Sequence, residues 1–164
     1  MNRKLLTAEG YQKLLDELNY LHRTERPEIT RIVSWAASLG DRSENADYTY
    51  NKRKLREIDR RIRFLTKLFD DAQKVEYNPQ QEGKAYFGAW VTLKDEDGQE
   101  LTFRIVGNEE IYQNSKYISL NSPMAKACLG KEEDDGVEIV TPEGTKFWTI
   151  INIKYANVTD SKEK

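Results

Sequence analysis

Two runs of helical periodicity, each too long for a compact domain and separated by only a few polar residues, constrain this chain more than anything else in it. From Thr7 to about Leu39 the first run places Tyr11, Leu14, Leu18 and Leu21 at steps of three and four. It resumes after "HRTER" with Ile29, Ile32, Val33 and Ala36. Thr7 ahead of Gly10 offers an N-cap opening, and Pro27 predicts a kink or local break rather than the end of the arm. In the second run Leu55, Ile58, Ile62, Leu65, Phe69 and Ala72 alternate the same steps, a heptad seam flanked by charges. Helices of about 30 residues are about 45 Å long, and a connection of a few residues makes them antiparallel. With one apolar seam each, they cannot close into a globule alone. The prediction is an antiparallel coiled-coil hairpin with "GDRSEN", Gly40 to Asn45, at its far tip.

After "YNPQQEGK", near Tyr77 to Lys84, the period changes. "AYFGAWVTL" and "QELTFRIVG" read as strands joined by the turn-rich "KDEDG", and "YISLN" as a further strand. "SPMAKACLG" reads as a short helix with Ser122 at the N-cap, Pro123 at the first position and Gly130 closing it. "GVEIVT" and "TKFWTIINIKYA" pair across "PEG". The expected class is α+β, with a coiled-coil domain over residues 1–78 and a mostly antiparallel sheet covering one short helix over 79–164. The polar tail from Asn157 is expected to fray.

Composition removes most familiar chemistry. The chain has 164 residues with a single cysteine, Cys128, and a single histidine, His22. No internal disulfide is possible, and neither a Cys/His zinc site nor a histidine-based nucleophile has its parts. His22 reads as a solvated helix residue, and Cys128, within "MAKACLG", as packing. Trp35, Trp90 and Trp148 also read as packing rather than as a stacking platform. No apolar run approaches the roughly 20 residues of a membrane span, and the N-terminus lacks a signal-peptide core. A cytoplasmic, monomeric protein is expected. The net charge of −2 hides an asymmetry. Residues 1–78 hold 16 Lys and Arg against 13 Asp and Glu, and residues 79–164 hold 10 against 15. The helical half is thus the candidate for an acidic partner such as nucleic acid.

The tip reads in two ways. Asp41 and Glu44 have capping-box spacing; alternatively Ser43 caps, with Glu44 and Asp47 in the first turn facing the helix dipole. Yet these carboxylates sit farthest from any core, where stability is least at stake. A projecting pair of acids can be carried into a partner, where hard oxygen ligands suit Mg²⁺. Two ligands are too few for a tight site of their own, so such a tip would complete another protein's metal site. Along the helix leaving the tip, Lys52, Arg56 and Arg60 step by four, with Arg53, Arg61 and Arg63 nearby. The run "NKRKLREIDRRIR" is usually a solvated face, but it also suits a line of phosphates.

Taken together, "EGYQKLLDELNYL", "WAASLGDRSENADY", "NKRKLREIDRRIR", "PQQEGK", "FGAWV", "FRIVG" and "YISLNSPMAKA" resemble the bacterial transcript cleavage factors of the GreA/GreB family, the GreB branch more closely. "GKEEDD", Gly130 to Asp135, looks more like the GreA branch. The resemblance covers nearly the whole chain. It implies a coiled coil that enters the secondary channel of bacterial RNA polymerase and stimulates the polymerase's own cleavage of the RNA 3′ end extruded on backtracking. Asp41 and Glu44 match the family's catalytic tip acids, thought to help hold a second Mg²⁺ and its attacking water; Ser43 and Asn45 would shape the loop. Lys52, Arg53, Arg56, Arg60 and Arg61 match the patch that contacts the extruded RNA. The second half resembles the family's FKBP-like domain without isomerase activity. Ser122 and Pro123, within "NSPMA", match the region that docks at the channel rim, and Asn121 stands where some members carry an acid.

The resemblance therefore implies an accessory factor, not an enzyme alone, with no cofactor of its own; the Mg²⁺ is the polymerase's. Two other readings compete. An inhibitory homologue would enter the same channel and block it, and a coiled-coil adaptor would carry the tip acids only as caps.

Overall fold

The computed structural model describes residues 3–40 and 44–155. Asp41, Arg42 and Ser43, and the tail expected to fray from Asn157, lie outside the described residues. The chain forms two compact units, one of residues 11–72 and one that joins residues 3–10 to residues 73 onward.

In the first unit, α1 (Ala8–Tyr20) continues through a π-helical turn (Leu21–Glu25) into α2 (Arg26–Ala37), and α3 (Ala46–Asp71) returns. Cross-helix partners run in opposite order. Tyr11 meets Phe69 edge-on at 5.0 Å, Glu17 chelates Arg61, Glu25 lies 3.7 Å from Lys54, and Asn45 reaches Ala36. The helices are therefore antiparallel, as the short connection requires. The buried seam is Leu14, Leu21, Ile29 and Ala36 against Ile58, Leu65 and Leu68. Leu68 joins the expected positions because the three-residue step from Leu65 keeps it on the same face.

Pro27 does not break the arm. The seam advances by seven residues from Leu14 to Leu21 but by eight from Leu21 to Ile29, one more than a heptad. A π turn holds one extra residue per turn. Here the Arg26 N–H donates five residues back to the Leu21 carbonyl, and Pro27, which has no N–H to give, follows directly. The extra residue is absorbed and Ile29 returns to the seam.

The second unit begins with β1 (Lys4–Thr7), which pairs with β2 (Ala72–Val75). Residues 3–10 thus pack with this unit. They are held by Glu110, which is fully buried on a 3-10 helix (Asn108–Gln113) that carries no periodicity to announce it. Its Oε2 accepts the N–H of Thr7 at 2.9 Å and of Gly107 at 2.8 Å; its Oε1 takes the Thr7 hydroxyl. Thr7 Oγ1 in turn accepts the Gly10 N–H at 3.0 Å, the N-cap expected for α1. A Cβ on Gly10 would lie 1.9 Å from Glu110 Oε1, so only glycine fits.

The main sheet runs β5 (Tyr117–Ser119), β4 (Glu100–Val106), β3 (Ala89–Asp95), β7 (Gly144–Tyr155), β6 (Gly136–Thr141). It is mostly antiparallel, as expected; β5 lies parallel to β4, returning through the 3-10 helix. A bulge at Thr92/Leu93 leaves Ile151 between the β3 partners Ile150 and Asn152. Ala85 to Gly88, expected as strand, is a turn; Gly88 has φ 91° and donates to the Ile105 carbonyl. Val91, Leu93, Phe103, Ile105, Ile150 and Cys128 make the core with α4 (Pro123–Cys128). This is the FKBP-like α+β arrangement of one sheet over one short helix. No helix among the described residues is long and apolar enough to cross a membrane.

Candidate functional site

The tip is built from both arms. α2 ends at a Ser38 cap, and Gly40 follows at φ 112°, a conformation that admits the reversal. The cap of α3 is neither Asp41 nor Ser43 but Asn45. Its Oδ1 accepts the Tyr48 N–H at 3.0 Å, and its Nδ2 donates to the Ala36 carbonyl at 2.7 Å. One side chain thus satisfies the start of one helix and adds a second hydrogen bond to a carbonyl in the last turn of the other, which also accepts the Leu39 N–H. Because Asn45 fills the cap, Glu44 falls outside the helix, before the first turn. It is exposed. Asp47 does occupy the first turn, facing the positive end of the dipole. Asp41 and Ser43 lie outside the described residues.

On α3, Lys52, Arg53, Arg56, Arg60 and Arg63 are all exposed on the side away from the seam. Among the described residues, Arg53, Arg56 and Arg60 make no ion pair. Arg61 departs from the expected patch. Five residues from Arg56, it lies about 140° round the helix, where it chelates Glu17 at 2.7 and 2.9 Å. Its guanidinium is held in its charged form by that hydrogen-bonded pairing. Lys54 is likewise turned to Glu25. On the opposite flank Arg26 donates to Asp59 at 2.6 Å and pulls that carboxyl below its usual range.

In the second unit Ser122 caps α4, accepting the Ala125 N–H at 3.2 Å, and Pro123 opens it, exposed. Asn121 donates through Nδ2 to Asn108 at 3.3 Å, and Ser119 Oγ bonds the same Asn108 oxygen. Asn108 and the almost fully exposed Tyr112 beside this segment were not picked out from sequence, since both sit on the unannounced 3-10 helix. Of the other features, His22 is exposed and Cys128 buried as expected, its thiol pushed up to about 11 by burial. Trp90 and Trp148 are half-buried, Trp148 against the sheet core. Trp35 is not packing: it is 52% exposed.

Comparison with known proteins matches the two halves of the chain to two models of one family, the first of which takes in residues 4–10. The family described as "Transcription elongation factor, N-terminal" matches residues 4–73, and "Transcription elongation factor, GreA/GreB, C-term" matches residues 80–155. Transcription elongation factor GreB of Vibrio vulnificus strain YJ016 is 61% identical over 156 residues, 94% of this chain and 98% of that protein. GreB of Pseudomonas putida is 54% identical over 155 residues, 94% of this chain and 96% of the relative. Among solved structures, the GreA factor homolog 1 protein of Thermus thermophilus is 25% identical with a TM-score of 0.42, covering 93% of this chain and 99% of its own. With both halves matched in order and relatives of such identity along nearly their whole length, the chain belongs to the GreA/GreB family of transcription elongation factors.

Proposed function

We infer that this chain is an accessory factor of bacterial RNA polymerase that carries carboxylates into the secondary channel and stimulates cleavage of backtracked RNA. The observation that carries this reading is the exposed carboxylate of Glu44, held outside α3 by the Asn45 cap at the hairpin's end. A carboxylate serving as a cap would be turned back on its own backbone; Asn45 makes that unnecessary.

In phosphodiester hydrolysis a second divalent ion stabilises the attacking and leaving oxygens. Asp41 and Glu44 would hold it, since carboxylate oxygens are the hard donors that Mg²⁺ takes and Mg²⁺ readily shares its ligands between partners. Asn45 fixes where α3 begins and so where Glu44 is presented. The arginines of α3 attract and track the phosphates of the extruded RNA, and Ser122 and Pro123 serve as part of the docking surface. The chain has no need of a nucleophile or cofactor of its own. Tighter retention by about 3 kcal/mol corresponds to about 10²-fold in rate at subsaturating metal.

The test is RNA trimming in purified backtracked complexes. The protein alone should cut nothing, and adding it to polymerase should accelerate Mg²⁺-dependent cleavage about 10²-fold or more. Asp41→Ala and Glu44→Ala should abolish the stimulation while still competing with the wild-type factor for polymerase. Full-rate trimming by either variant rejects the tip mechanism, and further arrest by the wild-type chain selects the inhibitory reading instead.

A further inference from the structure

Of the large rings that the hairpin leaves exposed, which include Tyr20 and Phe64 farther down the arms, two lie toward the tip. Trp35 on α2 is 52% exposed and Tyr50 on α3 is 60% exposed. Their positions are related. The Arg26–Asp59 bridge closes one flank of the paired helices. Trp35 lies nine residues tipward of Arg26, and Tyr50 nine residues tipward of Asp59. Nine residues are about two and a half helical turns. Both rings therefore stand on the flank opposite that bridge; with Ala36 facing Asn45 and Glu25 facing Lys54, Tyr50 lies more than one helical turn farther from the tip than Trp35. Arg53, one turn along α3 from Tyr50, connects this flank to the unpaired arginines Arg56 and Arg60.

We propose that Trp35 and Tyr50 form a stacking platform for unpaired bases of the extruded RNA, with Arg53 holding the adjoining phosphate. The proposal rests on the function inferred above, since only a backtracked complex supplies single-stranded RNA beside the tip. The chemistry favours RNA over a protein wall. The ring of Tyr50 has Asp47, Arg53 and Lys54 within a turn of it on its own helix, beside the single small apolar residue Ala46, so a dry protein contact would bury charge around it. A flat ring beside a cation suits single-stranded nucleic acid, in which any base offers a face to stack and every step a phosphate. The platform also explains why these exposed rings occur near the tip, where no core needs them.

The experiment uses the full-length factor with backtracked polymerase complexes whose extruded RNA is either intact or carries abasic nucleotides. On intact RNA, Trp35→Ala and Tyr50→Ala should each raise the factor concentration for half-maximal cleavage about 10-fold, the loss of one base–ring stack. Trp35→Phe should restore most of it. On abasic RNA the wild-type factor should show the same loss, and the alanine variants should add nothing to it. Wild-type potency on intact RNA in both alanine variants overturns the platform, as does an equal loss on intact and abasic RNA, which would assign the rings to polymerase protein. Failure of the wild-type factor to stimulate cleavage at all would instead overturn the inferred function, and this proposal with it.

Discussion

Glu110 offers the most quantitative test of how this chain is held together. Its carboxylate is fully buried and takes two backbone N–H groups and the Thr7 hydroxyl. Glu110→Ala leaves the N–H groups of Thr7 and Gly107 without their acceptor, at about 1–3 kcal/mol for each buried donor. A loss of about 3 kcal/mol is expected once partial relaxation is allowed. With a urea slope of about 2 kcal/mol/M, the unfolding midpoint of the second unit should fall by about 1.5 M. Trp90 and Trp148 both lie in that unit, and their fluorescence reports it. Glu110→Gln should lose less than half as much, because its oxygen can keep both N–H groups while its amide donates to Thr7. The two variants also separate charge from hydrogen bonding. Burial pushes the Glu110 carboxyl above its ordinary range, against the opposing hydrogen bonds from Thr7 and Gly107. The folded state therefore holds this proton to higher pH than the unfolded state does. The resulting stability is complete below the ordinary Glu value of about 4.3 and is lost as pH rises through the raised folded value. The wild type should thus gain stability relative to Glu110→Gln on acidification from neutral pH. A midpoint shift below about 0.5 M for the alanine variant refutes the burial argument. Parallel pH profiles for wild type and Glu110→Gln refute the raised carboxyl.

Asn45→Ala removes a helix cap and the bond to Ala36 together, so the hairpin should lose about 2 kcal/mol, read as an earlier thermal loss of helical circular dichroism. Arg61→Ala removes the surface pair with Glu17 and an exposed contact with the Phe64 ring, and should cost about 1 kcal/mol with unchanged potency in cleavage. Arg56→Ala should instead weaken potency and reduce the salt dependence of half-maximal cleavage by about one unit of slope, as loss of one phosphate contact does. Cys128, buried with its thiol pushed up to about 11, should resist alkylation at pH 8 in the folded protein and react at once when urea unfolds it.

How far the sequence could be read follows from where its signals are periodic. The seam of α3 was legible because a heptad repeat places its residues on one face whatever the surroundings. In the first arm, the eight-residue step from Leu21 to Ile29 was equally visible, but Pro27 drew the explanation toward a break. The step and the proline belong together: a missing N–H is tolerated where the helix already skips a hydrogen bond. Trp35 was within reach as well. It stands next to Ala36, about 100° off the seam, and the angle alone argues against burial. Other features carried no local signal. Three residues of β5 cannot reveal whether they pair parallel or antiparallel. Glu110 stands beside a second acid, Glu109, in a non-periodic turn, and nothing near it announces that Thr7, over a hundred residues earlier, will supply its partner. The cap of α3 shows the same limit at the tip. Asp41, Ser43 and Asn45 all have cap-forming side chains, and spacing could not rank them. What decides is a tertiary contact: the Asn45 amide also reaches the Ala36 carbonyl across the hairpin. That contact carries a functional consequence: with an amide holding both helix ends, an acid beside it is left exposed at the end of the hairpin.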